Sequence, residues 1–307
     1  MGKIAFVFAG QGAQYPGMGR ELYNTSAAAK AVFDMAERVR PGTIELCFNG
    51  SAEELNKTVN TQPCLFAVDL ACAEAAREAG IIADGAAGFS LGELAAAAFS
   101  GLMSYEDAFK CVCRRAELMQ VCTQNNPSAM SAVMKLEPET VEQLASEFSQ
   151  VYPVNYNCQG QTVVAGLIEE MPQFEAKVKE NSGRAVRLKV SGGFHSPFMA
   201  DAAEGLLSYM QGMSFGEPVI PLYSNLTAGK YSKEEAKTLL SGQIKNPVRW
   251  QKTVQNMMAE GFDTFIEVGA GHTLSDLVKR IGGAKLICRV EDTATLSEAA
   301  GSVEVNA

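Results

Sequence analysis

The stretch that most constrains the fold is residues 88–92, which read Gly-Phe-Ser-Leu-Gly and lead into the alanine-rich residues 94–98. Glycines two before and two after a serine let a strand turn abruptly into a helix, because only a residue without a Cβ atom tolerates such a close approach. The pattern predicts that Ser90 lies on a nucleophile elbow at a helix N-terminus, where N–H groups and the helix dipole favour negative charge. An ordinary Gly-Ser turn has the same residues, so other parts of the chain must distinguish the two.

Apolar runs predict a parallel sheet around this elbow. Residues 3–9 are almost wholly apolar and end at glycine, and residues 264–268 form a second strand pattern that also runs into glycine. Residues 81–88 predict a short strand that leads into the elbow. Residues 61–78 predict a long alanine-rich helix with Pro63 near its first turn. These elements indicate an α/β protein.

The order of elements changes between about residue 125 and residue 191. This segment predicts strand, helix, strand, strand, helix and strand, which is the split βαβ unit of ferredoxin-like folds. The expected fold class is therefore α/β, with an α/β-hydrolase-like parallel-sheet core and an inserted ferredoxin-like α+β subdomain. We assign the large domain to residues 1–124 and 192–290, the small subdomain to 125–191 and a loose C-terminal tail to 291–307.

Composition argues against several classes of function. The net charge of −9 argues against a nucleic-acid partner, since phosphate binding requires clustered Lys and Arg. No apolar run approaches the length of about 18 residues that a membrane-spanning helix requires, and no signal peptide is expected. None of the eight cysteines has the Cys-x-x-Cys spacing of a zinc site or redox pair. We therefore expect no metal, no membrane partner and reduced thiols in a cytoplasmic protein.

A serine nucleophile needs a base, and the chain contains two histidines. Histidine, with a pKa near 6.5, is the usual acceptor of a serine proton. His195 follows a Gly-Gly pair at the seam of the two predicted domains, which favours it. His272 lies in a glycine-rich loop after a predicted strand and is the alternative. Taken alone, either histidine is also consistent with a structural role.

A series of short motifs occurs in order over nearly the full length of the chain. They are Phe6-Val7-Phe8, Gly10-Gln11-Gly12-Ala13-Gln14, Ala52-Glu53-Glu54-Leu55, Thr61-Gln62-Pro63, Gly88-Phe89-Ser90-Leu91-Gly92-Glu93, Arg115 with Leu118-Met119-Gln120, Val154-Asn155-Tyr156-Asn157, Phe194-His195-Ser196, Asn246-Pro247-Val248-Arg249-Trp250 and Glu267-Val268-Gly269. With these motifs the chain resembles the malonyl-CoA:acyl-carrier-protein transacylases of fatty-acid synthesis and the related acyltransferase domains of polyketide synthases.

The resemblance implies a Ser-His dyad. Ser90 would be the nucleophile and His195 its base. The backbone carbonyl of Gln243 would orient the histidine, and Asp201, which is near in sequence, is the alternative orienting group. Because His195 must be neutral to accept a proton, we expect acylation to fail as the pH falls well below about 6.5.

The resemblance also implies how the acyl group is held. The backbone N–H groups of Gln11 and Leu91 would form the oxyanion hole. Arg115 would bind the free carboxylate of a malonyl group, since a planar guanidinium makes two parallel hydrogen bonds to a carboxylate. Its neighbour Arg114 is expected to form a surface ion pair instead.

The implied reaction is a ping-pong transfer of malonyl from malonyl-CoA to the phosphopantetheine thiol of acyl carrier protein through a malonyl-serine ester. The CoA thioester is a substrate, and no cofactor is implied. Three alternatives remain open at this point. They are a polyketide-type acyltransferase, a serine acyl-hydrolase with the same dyad, and a binding module without catalysis.

One residue of the elbow departs from the family pattern. The family most often has histidine immediately before the serine, and this chain has Phe89. The elbow tolerates this change, because the position is variable in the general pattern. A polar, titratable side chain beside the nucleophile is nevertheless lost, which is expected to affect turnover, acyl preference and resistance to hydrolysis.

A loose cluster of basic residues on the small subdomain is a candidate docking face for acidic carrier protein. Its members are Lys177, Lys179, Arg184, Arg187 and Lys189. A solvated surface is the alternative, because Glu175 and Glu180 interrupt the cluster.

Overall fold

Nine strands form two sheets within residues 2–190 and 192–306, the part of the chain that the computed structural model describes. The strands are β1 Lys3–Phe8, β2 Gly85–Gly88, β3 Ser128–Met134, β4 Val151–Cys158, β5 Gln161–Leu167, β6 Arg184–Arg187, β7 Leu222–Tyr223, β8 Phe262–Val268 and β9 Leu286–Val290. Residue 191, the last of the predicted small subdomain, and residue 307 of the predicted tail lie outside the described residues.

The larger sheet has the strand order β7-β2-β1-β8-β9, and every neighbouring pair is parallel. β1 lies in its middle. Phe6 and Phe8 pack into one hydrophobic cluster and Ala5 and Val7 into another, so both faces of β1 are covered. This double burial explains why the strand is a continuous apolar run. The parallel core confirms the predicted α/β class.

Fourteen α-helices lie within the described residues; two of them pack on the smaller sheet, and others cover both faces of this larger sheet. The helices are α1 Arg20–Thr25, α2 Ala27–Val39, α3 Thr43–Asn49, α4 Ala52–Leu55, α5 Thr58–Glu78, α6 Gly92–Phe99, α7 Tyr105–Asn125, α8 Pro138–Ala145, α9 Met171–Glu180, α10 Ala200–Met210, α11 Lys233–Gly242, α12 Trp250–Ala259, α13 Thr273–Ile281 and α14 Thr293–Asn306, with two short 3-10 turns at Pro197–Met199 and Gln243–Lys245. Every residue of α5 from 61 to 76 is buried. α5 packs against α7, and this pairing brings Gln62 and Arg115 together.

The smaller sheet has the order β4-β5-β3-β6, and every neighbouring pair is antiparallel. Its strands all come from the segment between α7 and α10, and α8 and α9 cover one face through a separate apolar core. Counted from the first strand of the segment, the order is 2-3-1-4, the arrangement of ferredoxin-like folds. The predicted ferredoxin-like subdomain is confirmed. A parallel bridge between Asn155 and Val248 ties it to the larger unit.

The prediction of a loose C-terminal tail is wrong, because residues Thr293–Asn306 form the helix α14. The carboxylate of Asp292 accepts a hydrogen bond from the Thr295 N–H at 2.8 Å, which satisfies a donor in the first turn. Thr295 and Ala299 are buried, and the helix packs against β9. The segment consists mainly of small residues, and its apolar residues do not recur at helical spacing. The sequence therefore did not indicate a helix with a buried face.

Candidate active site

Ser90 lies on the bend between β2 and α6, with a φ of 55° in the left-handed region. The two flanking glycines make this bend sterically feasible. A Cβ atom at Gly88 would lie 1.9 Å from the carbonyl carbon of Gly92, and one at Gly92 would lie 2.2 Å from the carbonyl oxygen of Phe8. Any larger residue would push the strand and the helix apart. The predicted elbow geometry is therefore confirmed.

His195 faces Ser90 where the chain returns from the small subdomain. Its Nε2 atom lies 2.7 Å from Ser90 Oγ, and its Nδ1 atom lies 2.7 Å from the carbonyl oxygen of Gln243. Because a carbonyl can only accept, Nδ1 carries the proton of the neutral imidazole, and Nε2 is left to accept the serine proton. The backbone N–H of His195 donates to the carbonyl of Ile244 at 3.0 Å, which fixes the position of the ring.

The two alternative residues lie away from this pair. His272 is exposed, and its Nδ1 atom lies 3.0 Å from the carboxylate of Asp276. Asp201 is an exposed residue in the first turn of α10. The partner of His195 Nδ1 is the Gln243 carbonyl and not this carboxylate.

The environment of His195 keeps the imidazole neutral. Burial, followed by the positive charge of Arg115, lowers the pKa of His195 from 6.5 to about 4, while hydrogen bonds with the backbone of Gln243 and Asn246 act in the opposite direction. The expectation that acylation fails well below about pH 6.5 is thereby corrected. That value belongs to a solvated histidine, whereas this buried ring loses its neutral form only near pH 4.

Arg115 is a buried cation on α7 and is only 1% exposed. Its Nη1 atom donates to Gln62 Oε1 at 2.7 Å, and its Nη2 atom donates to Gln243 Oε1 at 3.2 Å and to Ser90 Oγ at 3.1 Å. Burial lowers the pKa of Arg115 to about 10, so the guanidinium stays charged at neutral pH. Because these hydrogen-bond partners are all uncharged, the cation can bind an incoming anion.

Two backbone N–H groups near Ser90 are candidate donors to an oxyanion. Among the described residues, neither the N–H of Gln11 nor that of Leu91 donates a hydrogen bond. The loop with Gln11 approaches the elbow closely, since a Cβ atom at Gly10 would lie 2.8 Å from the carbonyl oxygen of Phe89. Leu91 directly precedes the first residue of α6. Unpaired N–H groups at such a helix N-terminus can stabilise a developing oxyanion.

Ser90 and His195 open onto a cleft of about 490 Å³ between the two sheets. The loop of residues 10–14 and α13 line it on one side, and strands of the small subdomain line it on the other. Phe89 also lines the cleft, and its ring makes a T-shaped contact with Trp250, with the ring centroids 5.6 Å apart. The residue that departs from the family pattern is therefore part of the apolar wall beside the serine.

Sequence reasoning missed a polar support beneath the elbow. The side chain of Asn225 accepts from the Ser90 N–H at 2.6 Å and donates to the Gly88 carbonyl at 2.5 Å. The backbone N–H of Asn225 donates to the buried carboxyl of Glu93 at 3.2 Å. Burial raises the pKa of Glu93 to about 8, so this carboxyl is protonated at neutral pH. Asn225 is 135 positions from Ser90, and no local pattern indicates such a contact.

Comparison with known proteins agrees with this geometry. The acyl transferase domain family matches residues 5–291. A malonyl CoA-acyl carrier protein transacylase of Bacillus subtilis (strain 168) is 38% identical in an alignment 303 residues long that covers 96% of this chain and 96% of the relative. The chain belongs to the malonyl CoA-acyl carrier protein transacylase family. The resemblance that the motifs indicated is confirmed.

Solved structures of transacylases share the fold. A malonyl CoA-acyl carrier protein transacylase from Clostridium perfringens has a TM-score of 0.95 at 33% identity, covering 99% of this chain and 98% of that one. A malonyl-transacylase in complex with its type II PKS acyl-carrier protein has a TM-score of 0.94 at 33% identity, covering 98% and 99%. These neighbours also support the predicted fold class, a hydrolase-like core with an inserted subdomain.

The predicted basic cluster of this transacylase is partly neutralised. Lys177 pairs with Glu147, and Arg187 Nε lies 2.8 Å from the carboxylate of Glu175. Within the described residues, the members of the cluster that form no ion pair are Lys179, Arg184 and Lys189.

Residues 2–190 and 192–306 of the transacylase contain neither a membrane-spanning helix nor a cluster of metal ligands. No helix there combines the length and the apolar character needed to cross a bilayer. No three His, Cys, Asp or Glu side chains in these ranges are grouped so that they could hold a metal ion.

Proposed function

We propose that this chain transfers a malonyl group from malonyl-CoA to the phosphopantetheine thiol of acyl carrier protein in fatty-acid biosynthesis. The observation that carries the proposal is the position of Arg115, whose Nη2 atom lies 3.1 Å from Ser90 Oγ. A buried cation this close to a nucleophilic oxygen suits an acyl group that ends in a carboxylate. The names of the Bacillus subtilis and Synechocystis relatives, malonyl CoA-acyl carrier protein transacylase, support the same reaction.

Ser90 is the nucleophile of the first half-reaction, and His195 is its base. Ser90 Oγ attacks the thioester carbonyl carbon of malonyl-CoA while His195 Nε2 takes the hydroxyl proton. The negative oxygen of the tetrahedral intermediate accepts hydrogen bonds from the N–H groups of Gln11 and Leu91. The carbon–sulfur bond then breaks, His195 gives its proton to the CoA sulfur, and a malonyl-Ser90 ester remains.

The second half-reaction reverses these roles. His195 takes the proton of the carrier-protein thiol, and the sulfur attacks the carbonyl carbon of the malonyl-Ser90 ester. The bond to Ser90 Oγ breaks, and the serine recovers its proton from His195. The carbonyl of Gln243 holds the Nδ1–H of His195 in both halves, so it stabilises the imidazolium each time it forms. No cofactor takes part, because the CoA thioester is itself the acyl donor.

We assign the docking of carrier protein to the small subdomain, beside the mouth of the cleft. Lys189 lines the cleft, and Lys179 and Arg184 carry charges that no carboxylate of the described residues pairs. Three such cations suit an acidic carrier protein. A solved relative is a malonyl-transacylase in complex with an acyl-carrier protein, which supports a protein acceptor here.

We also propose that the enzyme works in the cytoplasm. All eight cysteines are free thiols, and most of them are buried. This usage suits a reducing compartment. The proposed reaction involves neither a nucleic acid nor a membrane.

The test is a transfer assay read by the mass of the carrier protein. We expect the malonyl mass gain on carrier protein that bears phosphopantetheine and none on the same protein without it, because the thiol is the acceptor. Fatty-acid and polyketide carrier proteins are compared in parallel, since one structural neighbour is bound to a type II PKS carrier. Release of free malonate at the same rate with and without carrier protein would identify an acyl-hydrolase and refute the proposal.

A further inference from the structure

Two carboxamide side chains hold the backbone of Ser90 from both sides. Asn225 Oδ1 accepts from the Ser90 N–H at 2.6 Å, and Gln243 Nε2 donates to the Ser90 carbonyl at 2.8 Å. The Ser90 φ of 55° is unfavourable for a residue with a side chain, and such a conformation persists only where surrounding contacts hold it. The fully buried Gln243 reaches this carbonyl from 153 positions away in the chain.

The Gln243 contact orients one particular peptide plane. The C=O of Ser90 and the N–H of Leu91 belong to the same trans peptide and point in opposite directions. A hydrogen bond from Gln243 to that carbonyl therefore sets the direction of the Leu91 N–H. The first turn of α6 holds the same carbonyl less closely, through the N–H of Glu93 at 3.2 Å.

Gln243 contacts three parts of the site with three different atoms. Its side-chain Oε1 accepts from Arg115 Nη2 at 3.2 Å, and its main-chain carbonyl lies 2.7 Å from His195 Nδ1. Because the contact with His195 uses the main chain, replacing the Gln243 side chain leaves that contact in place. The function of the side chain can therefore be measured separately from the orientation of the base.

We propose that the side-chain amide of Gln243 is a positioning group that aims the Leu91 N–H at the oxyanion. This inference rests on the proposed function, in which Ser90 is acylated and Leu91 is an oxyanion donor. A donor that matters in the transition state and not in substrate binding affects kcat and leaves KM nearly unchanged. If the Gln243 side chain acted only through Arg115, its replacement would instead slow the reaction only of substrates that carry a carboxylate.

The experiment measures acylation by p-nitrophenyl acetate, an activated ester that has no carboxylate for Arg115. Gln243→Met keeps the length of the side chain and removes both polar atoms, whereas Gln243→Glu keeps an acceptor for Arg115 and removes the donor to Ser90. We expect kcat to fall about 10- to 100-fold in both variants, and KM to change less than about threefold. This loss in kcat is somewhat smaller than the loss caused by deleting an oxyanion donor outright. Gln143→Ala, an exposed change on α8, is the control and should match the wild type.

Acylation by malonyl-CoA then distinguishes an effect of Gln243 through the Leu91 N–H from an effect through Arg115. In single-turnover acylation, we expect Gln243→Met to cause the same fold-loss in the Arg115→Ala background as in the wild type. A loss that disappears in that background, or that never appears with the ester, would overturn the inference and assign the side chain to Arg115. A change in KM alone would overturn it as well.

The result stays interpretable if one variant fails. If Gln243→Met does not fold, Gln243→Glu carries the comparison with the ester, in which Arg115 binds no carboxylate, and Gln243→Leu, which also lacks both polar atoms, replaces it with malonyl-CoA. A wild-type protein that passes no malonyl to carrier protein refutes the proposed function, while ester acylation still reports on Leu91. A wild type that transfers malonyl, together with Gln243 variants of unchanged kcat, refutes only the inference.

Discussion

The Nε2 atom of His195 lies 2.7 Å from the Oγ atom of Ser90, although the two residues are 105 positions apart. Both have a positive φ, 61° for His195 and 55° for Ser90, which residues with side chains seldom adopt. Such strain persists only where the surroundings hold it, and it concentrates at functional sites. The short contact is therefore maintained at a local cost in backbone energy.

The pH dependence of acylation should report this histidine. Burial and the charge of Arg115 lower the pKa of His195 to about 4, so the neutral base persists as the pH falls and is lost only near that value. Single-turnover acylation by malonyl-CoA, measured from about pH 3 to about pH 8 on protein shown to be folded, should fall with an acid limb near pH 4. An acid limb centred near pH 6.5 would contradict the buried, neutral imidazole.

Arg115→Ala should lower kcat/KM for malonyl-CoA about 10- to 100-fold, which corresponds to the loss of a charged hydrogen bond. Acetyl-CoA, which has no free carboxylate, should be affected far less. Arg115→Lys should restore malonyl use only in part, because an ammonium cannot make the bidentate contact. Arg114→Ala is the matched control, since Arg114 is exposed and pairs with Glu117 at 2.9 Å. An equal loss for both acyl groups would remove the proposed carboxylate-binding role.

Glu93→Gln should reduce the loss of stability that accompanies a rise in pH from about 5 to about 8. Burial raises the pKa of Glu93 from 4.5 to about 8, so the folded state holds this proton more tightly than the unfolded state. The resulting stabilisation is fully present below the unfolded pKa and is lost as the pH rises through the folded pKa. Glutamine resembles the protonated carboxyl and does not titrate. Urea unfolding between about pH 5 and about pH 8 should show a smaller decrease for the variant, and parallel curves would contradict the assignment.

Gly301→Ala should stabilise the protein by about 0.5–1 kcal/mol, because Gly301 is an exposed position in α14 and a Cβ atom there meets no neighbour. Gly301→Pro should destabilise the folded state, since proline disrupts a helix interior. The free energy of unfolding in urea measures both changes. If neither substitution changed it, residues 293–306 would not contribute a stable helix.

The parts of this protein that sequence predicted are those with a local pattern. The elbow could be predicted because Gly88 and Gly92 flank Ser90 within five residues, and steric contact over that distance leaves few alternatives. The ferredoxin-like subdomain could be predicted because its strands and helices alternate in a characteristic order. The helix α14 lacked such a pattern, since its small residues show no apolar period.

The parts that sequence did not predict depend on contacts between distant segments. The hydrogen bonds from Asn225 and from the side chain of Gln243 to Ser90 cross 135 and 153 positions. The low pKa of His195 depends on burial and on the nearby charge of Arg115, and a sequence motif predicts neither of them. The resemblance assigned a role to the Gln243 carbonyl, while the amide of the same residue was visible only in the folded chain.

The most direct test of the central claim is the mass of the Ser90 peptide after exposure to malonyl-CoA and then to carrier protein. We predict one malonyl group on Ser90 of the wild type, none in Ser90→Ala, and its removal when carrier protein with phosphopantetheine is added. Carrier protein without that thiol should leave the ester in place. A wild type that gains no malonyl group, that gains it on another residue, or that keeps it after the thiol is added would contradict this account.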